Sequence, residues 1–414
     1  MKDEYAMKKT KNTSRKHKIA IATLILITPL TTVLPYLAVS VLMNDIMESL
    51  DIGFTLAGLS MTIMLAISGT CMFLGTGIQG KIGIKNTIIL AVWLISIGSG
   101  INFISWDFAT FFLGRMLSGI GFGLIYISTL PLLSMWFTGN QRTAMITANL
   151  VANSLASVIA LSIANPLMRF VGSWNGVFGI YALFIAAIAC LWMIYGNSNT
   201  EPKNVTSLND DYTFRKNKSV IRKAFGIKQF RVIMLCSVFI MIAITAFTAF
   251  LPTFLQYARS FTVAHSVVAV NVLNVTFVIG ALTGGYLVGK TGKRKMIFQL
   301  GILIMLLGGA MFVFTSTALF ALVSVALIGI GFMLRIPAQT TITMETLSPP
   351  DPIVLGGAIA LISGIGQISS LVVAPIFATL TERFGMVIAM QVLSAVLIIS
   401  AILSFAVDET GAER

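Results

Sequence analysis

Twelve stretches of this chain are apolar over about 20 residues, the length a helix needs to cross the hydrocarbon core of a bilayer. They lie near 19–43, 54–78, 87–105, 108–136, 143–168, 175–195, 232–256, 266–288, 295–314, 318–345, 354–379 and 384–406. Backbone polar groups in hydrocarbon have no water to bond, so each run must close its own hydrogen bonds as a helix. The expected fold is an all-α integral membrane protein of 12 transmembrane helices in two pseudo-symmetric six-helix bundles. Only 10% of the residues are charged against about 25% in soluble domains, too few to cover a water-facing surface. The first run is too long for a signal h-region and holds Pro29 and Pro35, so it reads as an uncleaved span. Cys71, Cys190 and Cys236 sit inside apolar runs at unrelated spacings, which suits packing and neither disulfides nor a metal.

The formal net charge of +13 would suggest nucleic acid on a soluble protein. Its placement says otherwise. With the N-terminus inside, 23 of the 28 Lys and Arg fall on cytoplasmic segments, and only Arg169, Arg259 and Arg383 fall outside. That asymmetry places a multi-pass chain in the cell membrane with both termini cytoplasmic, its basic loops facing anionic headgroups.

The chain repeats itself. Gly80–Lys85 follows the second span and Gly289–Arg294 the eighth, 209 residues on. Pro166 and Pro375 are also 209 apart, and Ser118-Gly-Ile-Gly-Phe and Ile328-Gly-Ile-Gly-Phe are 210 apart. The expected units are a bundle at 1–195 with a basic tail at 1–18, a polar linker at 196–231, and a second bundle at 232–414.

The loop Gly285-x-x-x-Gly289-Lys290-Thr291-Gly292-Lys293-Arg294, the weaker copy ending in Gly80 to Lys85, and Leu113-Gly-Arg115-Met-Leu-Ser118-Gly119 in the fourth span resemble motifs of the major facilitator superfamily of secondary transporters. Ser173-Trp174 resembles its turn before the sixth span, with Asn175 in place of Arg. The loop Asp of the family is Gly in both copies here. The resemblance implies alternating access about a central site lined by spans 1, 4, 7 and 10, helped by 2, 5, 8 and 11. It implies conformational gating at Gly80, Lys81, Gly83 and Lys85, and at Gly289, Lys290, Gly292, Lys293 and Arg294. Gly284-Gly-Tyr-Leu-Val-Gly289-Lys290-Thr291 matches the P-loop pattern, but it ends a membrane helix and lacks the preceding strand a phosphate loop needs.

Charge inside the membrane is costly, so it is either functional or packed inward. The middle of the spans holds two cations, Arg115 and Arg335, and no carboxylate. Each is open to two readings: a structural Arg bonded to helix carbonyls, or an anion-binding group in the path. Gln339 and Thr343 follow Arg335 on one helix face. Polar stripes supply the other substrate candidates: Thr32 and Tyr36, Tyr126, Asn149 and Asn153, Thr248 and Gln256, Asn271 and Asn274, and Gln367. Interhelical hydrogen bonding is the competing reading for every stripe.

No acid, base and nucleophile group together in the spans, so the chain reads as no enzyme, with no cofactor and no metal. The expected function is secondary transport of a small organic or inorganic anion, with export or import of neutral or amphipathic compounds as the alternative. The expected partners are the solute, the bilayer, and a coupling ion (proton or sodium) or a counter-substrate. The chain is expected to work as a monomer without nucleic acid.

Overall fold

The computed structural model describes residues 2–137, 139–196, 225–314, 317–346 and 352–411. Twelve helices among them are long and apolar enough to cross a membrane. In chain order the helices that carry the spans are Lys2–Val41 (apolar enough to cross over Lys18–Val41), Phe54–Ile82, Ile84–Phe103, Phe108–Trp136, Gly139–Val171, Trp174–Gly196, Lys228–Arg259, Val263–Thr291, Arg294–Phe314, Ala318–Thr346, a two-piece eleventh (Pro352–Ser369 and Val373–Phe384), and Met386–Phe405. The linker expected at 196–231 lies mostly outside the described residues, and the seventh helix begins at Lys228, four residues early. An even number of spans puts both termini at one end of the bundle. That end is called the near end below, and the opposite one the far end.

Two features depart from the simple reading. A short helix, Met43–Leu50, joins the first two spans at the far end and buries Met43 and Ile46. The eleventh span breaks into a 3-10 turn at Ser370–Val372. Pro375 has no N–H, and its ring crowds the carbonyl four residues back, at Leu371 inside that turn.

The sequence repeat recurs as a repeat of contacts. A Cβ on Gly98 would lie 2.6 Å from the Gly114 carbonyl and 2.4 Å from Ser118, while one on Gly308 would lie 2.8 Å from the Ser324 carbonyl and from the Ile328 amide. Gly121 against the Ala91 carbonyl and Gly331 against the Gly301 carbonyl repeat the pattern. Each member of the second pair stands 210 residues after its counterpart, so spans 3 and 4 pack as spans 9 and 10 do. Missing side chains let these backbones touch, which is what holds helices together where lipid gives no hydrophobic drive. Spans 1 and 6 are joined by Trp192 Nε1 donating to Thr28 Oγ1 (3.1 Å), and spans 7 and 12 by Cys236 Sγ donating to the Ser400 carbonyl (3.7 Å).

Candidate functional site

The bonds and ring contacts that join the two halves cluster from mid-depth to the far end. Ser40 Oγ donates to the Ala249 carbonyl (3.1 Å), and Asn271 Nδ2 donates to Ser162 Oγ (3.3 Å). Phe54 of the second span meets Phe250 and Phe377 at 5.3 and 5.6 Å, and those two rings stack at 4.3 Å. At mid-depth Ser68 Oγ donates to Gln367 Oε1 (2.5 Å), one turn from where Gly69 presses on the Gly364 backbone. The halves are therefore clamped at the far end.

Arg335 sits nearer the other end. It is 3% exposed in the tenth span. Its Nη1 donates to Gln339 Oε1, and Gln339 Nε2 donates to Ser237 Oγ of the seventh span (3.1 Å). Its guanidinium lies 4.9 Å from the Phe332 ring centroid. Its Nε is buried without a hydrogen-bond partner. Tyr126 of the fourth span is an electrostatic neighbour of Arg335 from the opposite half. Tyr126 is 45% exposed while Leu124, Ile125 and Ser128 beside it are buried. A buried cation, a half-buried amide and an exposed phenol thus lie near one another where the halves meet.

Arg115 stands differently. It is fully buried, its Nε donating to the Ser60 carbonyl (3.1 Å) and its Nη1 to the Pro35 carbonyl (2.6 Å). Its fork ties spans 1, 2 and 4 together. Thr32 bonds back to the Pro29 carbonyl (2.9 Å), and Tyr36 reaches Thr248 across the halves. Asn149 Nδ2 bonds the Ile25 carbonyl (3.2 Å), and Asn153 is exposed. Gln256 bonds Ser266 (3.0 Å) within its own half, and Asn274 bonds back to Val270 (2.9 Å). Of the sequence candidates, the structure brings Arg335, Gln339 and Tyr126 near one another. Asn271 and Gln367 it places in bonds between the halves, apart from that group. Ser237 and Phe332 are not among the sequence candidates: Ser237 is a lone hydroxyl in an apolar run, Phe332 reads only as the end of the repeat motif, and the packing of spans 7 and 10 gives each its role.

The near-end loops differ between the halves. Gly83 is the one residue between the second and third spans, with φ +83° and ψ 161°, a conformation open in practice only to glycine. Gly80 and Lys81 beside it are exposed, and Lys85 is buried with its amine 5.6 Å from the Trp136 ring. In the second half Gly292 has φ +68°, Gly289 and Lys293 are exposed, and Lys290 lies over the Tyr286 ring (5.5 Å). Gly83→Val should therefore slow turnover several-fold while KM stays within about twofold; a variant that loses affinity and keeps its maximal rate contradicts a hinge role.

Arg294 anchors a clasp that was not foreseen from the sequence. Its Nη2 pairs with Glu345 Oε1 (2.9 Å), whose Oε2 accepts from Thr410 Oγ1 (2.5 Å). Glu409 Oε1 accepts the backbone N–H of Arg294 (2.9 Å) and of Gly411 (3.1 Å), and its Oε2 accepts that of Lys295 (3.1 Å). The chain end thus caps the exposed amides that open the ninth span, where the helix dipole favours negative charge. Asp408 adds its carbonyl as acceptor for Gln229 Nε2 (3.1 Å) at the start of the seventh span. Burial raises the Glu409 pKa, but the backbone N–H donors of Gly411, Lys295, Arg294 and Thr410 outweigh it and hold the carboxyl below its ordinary value. A depressed carboxylate stabilises above its unfolded pKa and stops doing so as pH falls through the folded one. A spin label at Asp408 should stay immobile at neutral pH and become mobile only on acidification below the usual glutamate range. Glu409→Gln should be mobile throughout; equal immobility of both proteins would contradict the clasp.

Residues 19–353 match the sequence profile of the Major Facilitator Superfamily. A bacterial homolog of the human lysosomal transporter Spinster, inward-facing and unoccupied, superposes with a TM-score of 0.76 at 14% identity, over 94% of this chain and 97% of that one. A D-xylose–proton symporter gives 0.75 at 14% identity, over 95% and 98%. An uncharacterized protein of Campylobacter jejuni is 24% identical over 127 residues, 30% of this chain and 39% of the relative's own length. With twelve spans, repeated half-bundles and this profile match, the chain belongs to the Major Facilitator Superfamily.

Proposed function

We propose that the chain carries a small organic or inorganic anion across the cell membrane, with Arg335 as the group that holds it. The fold is that of secondary transporters working by alternating access, and the two clamped halves are the parts that rock. The observation that carries the anion reading is a guanidinium buried between the halves whose neighbours among the described residues, Gln339, Phe332, Tyr126 and Cys236, are neutral. An arginine fork matches a carboxylate or similar oxyanion in shape and charge, and an anion entering the gap meets it opposite the Tyr126 phenol. Arg115, already spent on two carbonyls, serves as a strut. The basic near-end segments support cytoplasmic termini, and with them a gap that opens toward the cytoplasm when the far end is clamped.

A neutral polar solute is the second reading. The amide and hydroxyls beside Arg335, and a likeness in fold to a xylose–proton symporter, speak for it. Uptake by the purified chain in proteoliposomes, with radiolabelled carboxylates and oxyanions set against sugars and dyes, separates the two. The anion reading expects uptake of an anion that the neutral compounds do not inhibit. Uptake confined to sugars or dyes refutes it.

A further inference from the structure

Resting on the anion reading, we propose that Gln339 is a latch on the anion site, which holds the Arg335 guanidinium out of water until an oxyanion takes the place of its amide. Arg335 is 3% exposed, so in the conformation described its charge is withdrawn from solvent. Gln339 is half-buried and stands about 6 Å nearer the near end along the same helix. The far end is clamped, so a solute approaches Arg335 from the side on which Gln339 stands.

The amide is held at both ends. Its Oε1 accepts from Arg335 Nη1, and its Nε2 donates to Ser237 Oγ (3.1 Å). Ser237 in turn donates to the Ile233 carbonyl (3.0 Å). One directed chain of hydrogen bonds therefore runs from the guanidinium to the backbone of the seventh span. The base of the arginine is fixed: a Cβ on Gly301 of the ninth span would stand 2.8 Å from the Arg335 Cβ and 2.9 Å from its amide nitrogen. The tip is not. Its Nε has no hydrogen-bond partner among the described residues, and the bond that a turn of the tip must break is the one to Gln339. Pro337 lies between the two residues and has no N–H to give the Met333 carbonyl, so the helix can bend at the turn that separates latch from arginine.

The latch is weak enough to open because it is neutral. A buried guanidinium needs an acceptor oxygen, and the amide supplies one when the site is empty. An ionised oxyanion engages the fork with two oxygens and a full charge, which an amide oxygen does not match. It displaces Gln339 from Nη1, and a neutral hydroxyl does not. Gln339 thus sets a threshold that oxyanions pass and neutral solutes fail, and it lowers the affinity for every anion by about 10-fold, the worth of one hydrogen bond to a charged group. A residue that merely positioned Arg335 for its ligand would have the opposite sign: its removal would weaken binding.

The test reads the reach of Arg335 before it reads any ligand. Phenylglyoxal, which reacts with guanidinium groups that water can reach, is applied to the full chain in nanodiscs, and labelling of the peptide that carries Arg335 is followed by mass spectrometry. Gln339→Ala should label about 10-fold faster than the wild type. Ser237→Ala, which frees the other end of the amide, should also label faster, and it replaces Gln339→Ala if that variant does not fold. Gln339→Glu, whose carboxylate grips the guanidinium harder, should label no faster than the wild type. Equal labelling of the wild type and both alanine variants overturns the latch. Inorganic phosphate, sulfate, lactate, succinate and D-xylose are then titrated into the same proteins. At least one anion should bind Gln339→Ala about 10-fold more tightly than the wild type, and Gln339→Glu at least about 10-fold more weakly. Weaker anion binding to Gln339→Ala than to the wild type overturns the latch and leaves the anion reading standing. Faster labelling of Gln339→Ala together with binding of D-xylose and of no anion overturns the anion reading and leaves Gln339 as the cover of Arg335.

Discussion

Arg335→Gln is expected to cut transport of the anion by about 30-fold or more while the protein inserts and folds. The magnitude is that of one charge-assisted hydrogen bond, about 2 kcal/mol. Glutamine removes the charge and fills less of the space over Phe332, but it leaves the backbone contact with Gly301 untouched. Arg335→Lys is the sharper control. Lysine keeps the charge and loses the planar fork, so it should recover only part of the activity. Full activity in Arg335→Gln, with normal amounts in the membrane, would mean that Arg335 only holds Gln339 and Ser237 in place. The matched change at Arg115 should give a different phenotype. That fully buried side chain ties the carbonyls of Pro35 and Ser60 on two other spans, so its removal unties spans 1, 2 and 4, leaves a cavity and lowers stability.

The second large effect is expected at Gly69. A Cβ there would stand 2.4 Å from the Gly364 carbonyl oxygen and 3.0 Å from the Ile368 amide nitrogen. Both are backbone atoms of the other half and cannot turn aside. Gly69→Val must therefore push spans 2 and 11 apart and break the Ser68–Gln367 bond. Overpacking of this kind costs about 1–3 kcal/mol, enough to shift a two-state equilibrium by roughly 5- to 150-fold. The clamp is closed in the conformation described, so the shift is toward a far end that stands open. Spin labels at Glu48 and Tyr257, one in each half at the far end, should report a longer distance in the variant on a cysteine-free background. Gly77→Val, on the same helix with no atom within 4 Å of its Cβ, should change nothing. An unchanged distance in Gly69→Val with full transport would contradict the clamp.

The spans were legible because a bilayer imposes a length and an apolar content that any single helix must meet alone. The repeat was legible for a related reason: Gly121 and Gly331 must be small wherever two backbones touch, so the packing leaves a mark on the sequence. The polar stripes were only half legible. A hydroxyl or amide on a helix face looks the same whether it awaits a solute or bonds a neighbour. Gln367 and Asn271 are held by Ser68 and Ser162, more than 100 residues away. The same distance hid the near-end clasp, since nothing local marks Glu409 as the cap of a helix that opens 115 residues earlier. The break at Ser370–Val372 did have a local sign in Pro375.

The central claim is that one guanidinium between the halves recognises an anion, and equilibrium binding tests it without the complications of turnover. The transported anion should be titrated into the purified full chain, and into Arg335→Gln of matched thermal stability. The account predicts that the variant binds about 30-fold more weakly, and that unrelated oxyanions compete in the wild type while D-xylose does not. Equal affinity in the two proteins, or competition by D-xylose alone, would contradict it.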